Sequence, residues 1–88
     1  MKIEFKTSFE RDIKKIIDNE ILSLIESAIE NVENAKDTRE INNFRKLTGY
    51  KTYYRIKVKD YRIGLNIIDN VVYFVRFLHR KDIYKVFP

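Results

Sequence analysis

The sequence has no cysteine and a single histidine among its 88 residues. Without cysteine there is no disulfide framework and no thiolate metal site. One histidine excludes a multi-histidine metal centre, so neither a metal nor any other cofactor is expected. No apolar run approaches the roughly 20 residues that cross a bilayer. The opening segment MKIEFKTSFER carries no apolar signal sequence. A membrane partner is therefore not expected, and the expected location is the cytoplasm. Repeats and low-complexity stretches are also missing, which leaves residues 1–88 as one small domain. What is present can fill a core: 44% of residues are hydrophobic and 14% are aromatic.

Charge is unevenly spread. Residues 1–43 hold seven Lys/Arg against ten Asp/Glu, a balance of −3, whereas residues 44–88 hold eleven against three, a balance of +8. A basic half joined to an acidic half suggests a surface for a polyanion, either nucleic acid or an acidic protein.

The first half reads as support. Met1–Thr7 alternates, with Ile3 and Phe5 against Lys2, Glu4 and Lys6, as in a half-buried strand. Ser8 is expected to cap a helix, with Phe9, Ile13, Ile16 and Ile17 on one stripe. Asp18-Asn19 offers a break and a new cap. A second helix is expected from about Glu20 to Val32, forming a hairpin with the first. Glu20, Glu26, Glu30 and Glu33 fall on its polar side and read as a solvated face rather than a catalytic one. Asn34–Asn43 is a loop with one helical turn around Thr38–Asn42. Phe44 and Leu47 anchor it, and Gly49 turns the chain into the next strand.

From Tyr53 the pattern becomes three strands joined by the short turns Lys59-Asp60 and Asp69-Asn70. Two-residue turns pair Lys57 with Arg62, Arg55 with Gly64, Asn66 with Tyr73 and Arg62 with Phe77. Alternation then puts Tyr54, Ile56, Val58, Tyr61, Ile63, Leu65, Ile67, Val72, Phe74 and Leu78 on a core face. Arg76 falls among them and is expected at an edge with its charge in water. The opposite face collects Tyr53, Arg55, Lys57, Arg62, Gly64, Asn66, Tyr73, Val75 and Phe77. A charged face is common on antiparallel sheets. Here, however, Lys57 opposes Arg62 directly, a destabilising arrangement with no carboxylate to relieve it. A phosphate would relieve it. Gly64 leaves room for a ligand at the backbone, and Tyr53, Tyr73 and Phe77 are placed to stack on bases.

In the tail, HRKDIYKVFP, a helix would bring Arg80 and Tyr84 to one side. His79 is the side chain that titrates near neutrality, although a lone histidine at a strand end is usually an ordinary polar residue. Ile83, Val86 and Phe87 seal the sheet. The expected architecture is α+β: an N-terminal strand, a helical hairpin, then a three-stranded antiparallel meander with a short C-terminal helix, the helices packing on one face.

A helical pair followed by KLTGY, YYRIKVKDYRIGL and a strand ending in LHRKDIY resembles the RelE/ParE superfamily of type II toxin–antitoxin toxins, with the RelE branch favoured. The resemblance covers nearly the whole chain. It implies a metal-independent endoribonuclease that cleaves mRNA at the ribosome, with catalytic residues Arg55, Lys57, Arg62, Arg80 and Tyr84. His79 or Lys57 is the acid or base it implies, Lys57 only if neighbouring cations lower its pKa. Tyr53, Lys59, Tyr73, Phe77 and Lys81 are the RNA-binding positions. Lys59 departs from the glycine that relatives often carry there. An acidic antitoxin is the implied partner. The alternative within the superfamily is a ParE-like protein that poisons DNA gyrase by binding alone, and a member that only binds its antitoxin is a third.

Overall fold

A computed structural model describes all 88 residues. Alternation and turn chemistry account for most of it. The elements are β1 (Lys2–Phe5), α1 (Thr7–Lys14), α2 (Asn19–Asn34), a short 3-10 turn (Thr38–Glu40), β2 (Phe44–Lys46), β3 (Tyr53–Val58), β4 (Tyr61–Ile68), β5 (Val71–His79) and α3 (Ile83–Val86). The strands form one five-stranded sheet in the order β1-β5-β4-β3-β2, with β1 parallel to β5 and the rest antiparallel. The α+β class and the order of elements are as the sequence implies. The antiparallel part has four strands rather than three, because Phe44–Lys46 pairs with Tyr54–Ile56. Three residues are too few for an alternating pattern to declare itself.

Asp18 caps α2 as expected, its Oδ1 accepting from the amides of Glu20 at 2.8 Å and Ile21 at 3.2 Å. Ser8 does not cap α1. It lies inside the first turn, where its hydroxyl donates to the Val75 carbonyl, and the cap position is Lys6. The first helix also stops at Lys14, so Ile17 sits in the connection, 92% exposed, rather than on the apolar stripe. The terminal ammonium of Met1 donates to the carbonyls of Glu33 at 2.9 Å and Ala35 at 2.6 Å. A positive group there suits the negative end of the α2 dipole.

Both tight turns behave as their residues suggest. Lys59, Asp69 and Asn70 have φ of 52°, 51° and 65°, and Gly49 has φ of 86°. The β3–β4 register is the one a two-residue turn dictates: Val58 faces Tyr61, Lys57 faces Arg62, Ile56 faces Ile63 and Arg55 faces Gly64. The β4–β5 register begins likewise, with Ile68 opposite Val71 and Asn66 opposite Tyr73. It then slips. Leu65 pairs with Phe74 but Gly64 pairs with Arg76, which leaves Val75 without a partner. Beyond this β-bulge the faces exchange. Phe77 pairs with Ile63, not with Arg62, and is buried in the core at 1% exposure. Leu78 takes the place opposite Arg62 on the other face. Local alternation alone does not reveal one surplus residue.

The bulge also settles Arg76. Its charge does not escape to water. Arg76 Nε donates to Asp12 Oδ2 at 2.7 Å and Nη2 to Oδ1 at 3.2 Å. The same Asp12 Oδ2 accepts from the Phe77 amide at 3.0 Å. Asp12 is 4% exposed, on α1. Its carboxylate holds the Arg76 guanidinium above its ordinary pKa, through the hydrogen bond first, against some desolvation. One side chain thus ties α1 to the irregular end of β5, beyond the reach of β1. Phe9 from α1 and Ile21, Ile25 and Val32 from α2 complete the core against Ile56, Ile63, Leu65, Phe74 and Phe77.

Removing Asp12 leaves a half-buried guanidinium and an amide unpaired. Asp12→Ala is expected to destabilise the domain by about 3 kcal/mol, measured by urea unfolding with an unchanged m-value. A loss within experimental error of zero would show that water replaces the carboxylate.

Candidate functional site

The face of the sheet turned away from α1 and α2 is assembled from cross-strand rows. Arg45, Arg55 and Gly64 lie side by side on β2, β3 and β4. In the next row Lys57, Arg62 and Leu78 do so on β3, β4 and β5. Partners directly opposite share a face, so Arg45 adjoins Arg55 and Lys57 adjoins Arg62. The stretch Phe44–Lys59 contains six Lys/Arg and no Asp or Glu. The crowding of like charge is therefore not relieved from within the β2–β3 hairpin.

Backbone carbonyls hold these cations in place. Arg55 Nη1 donates to the Asn43 carbonyl at 2.8 Å. Arg62 Nη1 donates to the carbonyls of Lys59 and Tyr61, both at 2.8 Å. Carbonyls orient a guanidinium without neutralising it, so its charge remains available to an anion. Partial burial lowers the Arg55 pKa. The nearby Tyr84 hydroxyl works against that, while Arg45 and Arg62 add to it. Arg55 therefore stands among two cations and a phenol. Tyr84 is 53% exposed, with no other aromatic ring against it.

The chain's own tail covers the middle of this face. Phe87 packs over Gly64 so closely that a Cβ there would lie 2.8 Å from its ring, and the ring meets Tyr53 edge-on with centroids 5.5 Å apart. Ile83 is fully buried. The space at Gly64 thus belongs to Phe87, not to an incoming ligand. In the row beyond, Asn66 lies between Tyr53 and Tyr73, and its buried Oδ1 has no partner.

The structure therefore brings together Arg55, Lys57, Arg62 and Tyr84, with Tyr53 alongside. Phe77, His79 and Lys59 lie apart from this group, and Tyr73, Arg80 and Lys81 at its margins. Phe77 is in the core and has no surface to offer a base. His79 pairs with Tyr61 on the helix-bearing face, where the two rings meet at 5.6 Å. Its Nδ1 accepts from the Lys81 amide at 3.1 Å, and Lys81 itself lies in the turn after β5 with its side chain exposed. Lys59 forms an ion pair with Glu20 on α2, which raises its pKa. Tyr73 shares the site's face, but its ring lies under the Lys6 ammonium at 4.7 Å. Arg80 sits in a turn rather than on a helix with Tyr84, since α3 begins only at Ile83. Its amide donates to the Asp60 carbonyl at 2.7 Å and its Nε lies 3.9 Å from Asp60 Oδ1, at the end of the β3–β4 hairpin that Arg62 also contacts. Arg45 is the member that sequence reasoning missed. Its place beside Arg55 is visible only once β2 is known to be a strand.

Comparison with known proteins finds relatives over nearly the whole length of the chain. The family model for the ParE toxin of type II toxin–antitoxin systems matches residues 3–84. Toxin RelE3 of Methanocaldococcus jannaschii is 37% identical over 89 aligned positions that cover 100% of both chains. The crystal structure of a RelB–RelE antitoxin–toxin complex from Methanococcus jannaschii superposes with a TM-score of 0.79 at 36% identity, covering 96% of this chain and 98% of that one. The archaeal RelE–RelB complex from Pyrococcus horikoshii superposes at 0.73 with 16% identity, covering 92% and 96%, and shows the fold alone.

If the two rows form the anion surface, each cation removed should weaken the salt dependence of RNA binding. Arg45→Ala and Lys57→Ala are each expected to reduce the slope of log K against log salt by about 0.7 for a single-stranded oligoribonucleotide. His79→Gln should leave the slope unchanged. Equal effects of all three would place the binding surface elsewhere.

Proposed function

The chain belongs to the RelE/ParE superfamily of type II toxin–antitoxin toxins, and from that premise we propose that it is an mRNA endoribonuclease of the RelE kind, acting at the ribosome and inhibiting translation. The observation that carries this reading is the opposition of Lys57 to Arg62 and of Arg45 to Arg55, with Tyr84 beside Arg55. A phosphodiester is the ligand that turns this repulsion into attraction.

The reaction we assign needs no group beyond the chain's own side chains. The RNA 2′-hydroxyl attacks the adjacent phosphorus, a new O2′–P bond forms and the P–O5′ bond breaks. The proton leaving O2′ is taken by a base, and another is delivered to O5′, giving a 2′,3′-cyclic phosphate and a 5′-hydroxyl. Arg55 and Arg62, already oriented by carbonyls, stabilise the charge that grows on the phosphoryl oxygens, where fixed cations act most strongly. Arg45 and Arg80 hold the flanking backbone. Lys57 and Tyr84 are the proton carriers within this cluster. His79, on the far face, has no part in this scheme. Tyr53 supplies a ring at the site's border.

The matching family model bears the ParE name, whereas the full-length relative bears the RelE name. Identity of 37% over the whole chain is the more specific of the two, and it favours RNA cleavage over gyrase poisoning. The partner is a cognate acidic antitoxin, complementary to the basic second half. The RelB–RelE complex that this fold matches supports that choice.

Expression of the parent and of Arg62→Ala, followed by mapping of RNA 5′ ends, tests the proposal. The parent is expected to arrest growth with new 5′-hydroxyl ends in translated mRNA. The variant should cleave roughly 10²- to 10³-fold more slowly. Arrest with intact mRNA and induced DNA damage would instead assign the chain to the gyrase-poisoning class.

A further inference from the structure

The short tail helix raises a mechanical question. Four residues in α3 are far too few to hold a helix by hydrogen bonds alone, yet Tyr84 must stay beside Arg55 for the cluster to exist. Two buried side chains flank it. Ile83 is 0% exposed and Phe87 3%, whereas Tyr84, Lys85 and Val86 between them are exposed. The Phe87 amide closes the turn onto the Ile83 carbonyl at 2.8 Å. The receptacle for Phe87 is the missing side chain of Gly64, and Gly64 is the direct cross-strand partner of Arg55. The point where the tail is pinned and the residue that Tyr84 approaches are therefore neighbours on one row of the sheet.

We propose that Phe87 and Gly64 form a knob and socket that positions Tyr84 against Arg55, making both of them positioning residues for the cleavage reaction. This rests on the function proposed above. Gly64 has an ordinary φ, so its need for glycine is steric. The Phe87 Cγ, Cδ2 and Cε2 atoms all lie within 2.9 Å of where a Cβ would stand. Even alanine must displace the ring.

The test combines kinetics with a spectroscopic probe that does not depend on activity. In protein carrying 13Cζ-tyrosine, with the Tyr84 signal assigned through Tyr84→Phe, Arg55→Gln should shift that signal in the parent. It should not do so in Gly64→Ala, whose circular dichroism should match the parent's. Gly64→Ala is expected to lower kcat about tenfold with KM changed by less than about twofold, because the cations that bind RNA are untouched. Phe87→Ala, which inserts nothing into the sheet, should reproduce both losses. Phe87→Leu in the Gly64→Ala background restores room and should recover part of each. The proposal is overturned if the Tyr84 signal still responds to Arg55 in Gly64→Ala, or if that response is lost while kcat stays at the parental value. If the parent cleaves no RNA, the assigned reaction is wrong. The resonance then decides by itself whether Phe87 positions Tyr84, and an unchanged response overturns it.

Discussion

Val75 has no partner on β4, and much of the molecule follows from that surplus residue. A strand one residue longer than its neighbour must bulge, and past the bulge every side chain changes sides. The exchange sends Phe77 inward to stack on Tyr61, ring centroids 5.0 Å apart. It sends Leu78 outward to the row of Lys57 and Arg62. It also frees the Phe77 amide and exposes the Arg76 side chain at the sheet's edge, where one carboxylate on α1 satisfies both. Without Asp12 the bulge would leave two donors unpaired. Without the bulge Asp12 would have no reason to be buried. The irregularity and its correction are one unit, and they fix where the first helix sits.

The basic face shows a sheet stabilised from one side and held under repulsion on the other. Its helix-bearing side is a dense apolar core. On the opposite side two pairs of cations face each other across neighbouring strands, a cost that β-sheets ordinarily avoid. Carbonyls of Asn43, Lys59 and Tyr61 hold Arg55 and Arg62 in fixed orientation without cancelling their charge. Such an arrangement is destabilising without a neutralising anion, and cations already oriented would need little rearrangement to meet one. The unpartnered Asn66 oxygen belongs to the same face, in keeping with the tendency of functional surfaces to tolerate local cost.

Much of this was legible in the sequence, and the reasons differ by element. Lys59-Asp60 and Asp69-Asn70 are tight turns, and a tight turn propagates register along the whole of β3 and the first half of β5. That is why Lys57 could be set against Arg62, and Arg55 against Gly64, from residue order alone. Alternation puts Phe77 and Leu78 on the faces opposite to those observed, because a bulge breaks that propagation without a local mark. Alternation from Tyr73 through Phe77 puts His79 on the site's face as well, and the same bulge carries it to the helix side opposite Tyr61. Arg45 is not legible in the sequence because β2 is three residues long. The socket at Gly64 looks open in the sequence, since nothing in local pattern says that a residue 23 positions later will fill it.

The pairing of β1 with β5 joins the second residue of the chain to the seventy-first. During synthesis the first strand waits for a partner that is made only after both longer helices and the three other strands. The tail that carries Tyr84 and Phe87 comes later still. A nascent chain thus lacks both the closing edge of its sheet and the tail component of its candidate site until β5 and α3 have been made. This order of assembly makes the finished surface depend on pairing between distant parts of the chain, the kind of contact that forms slowly.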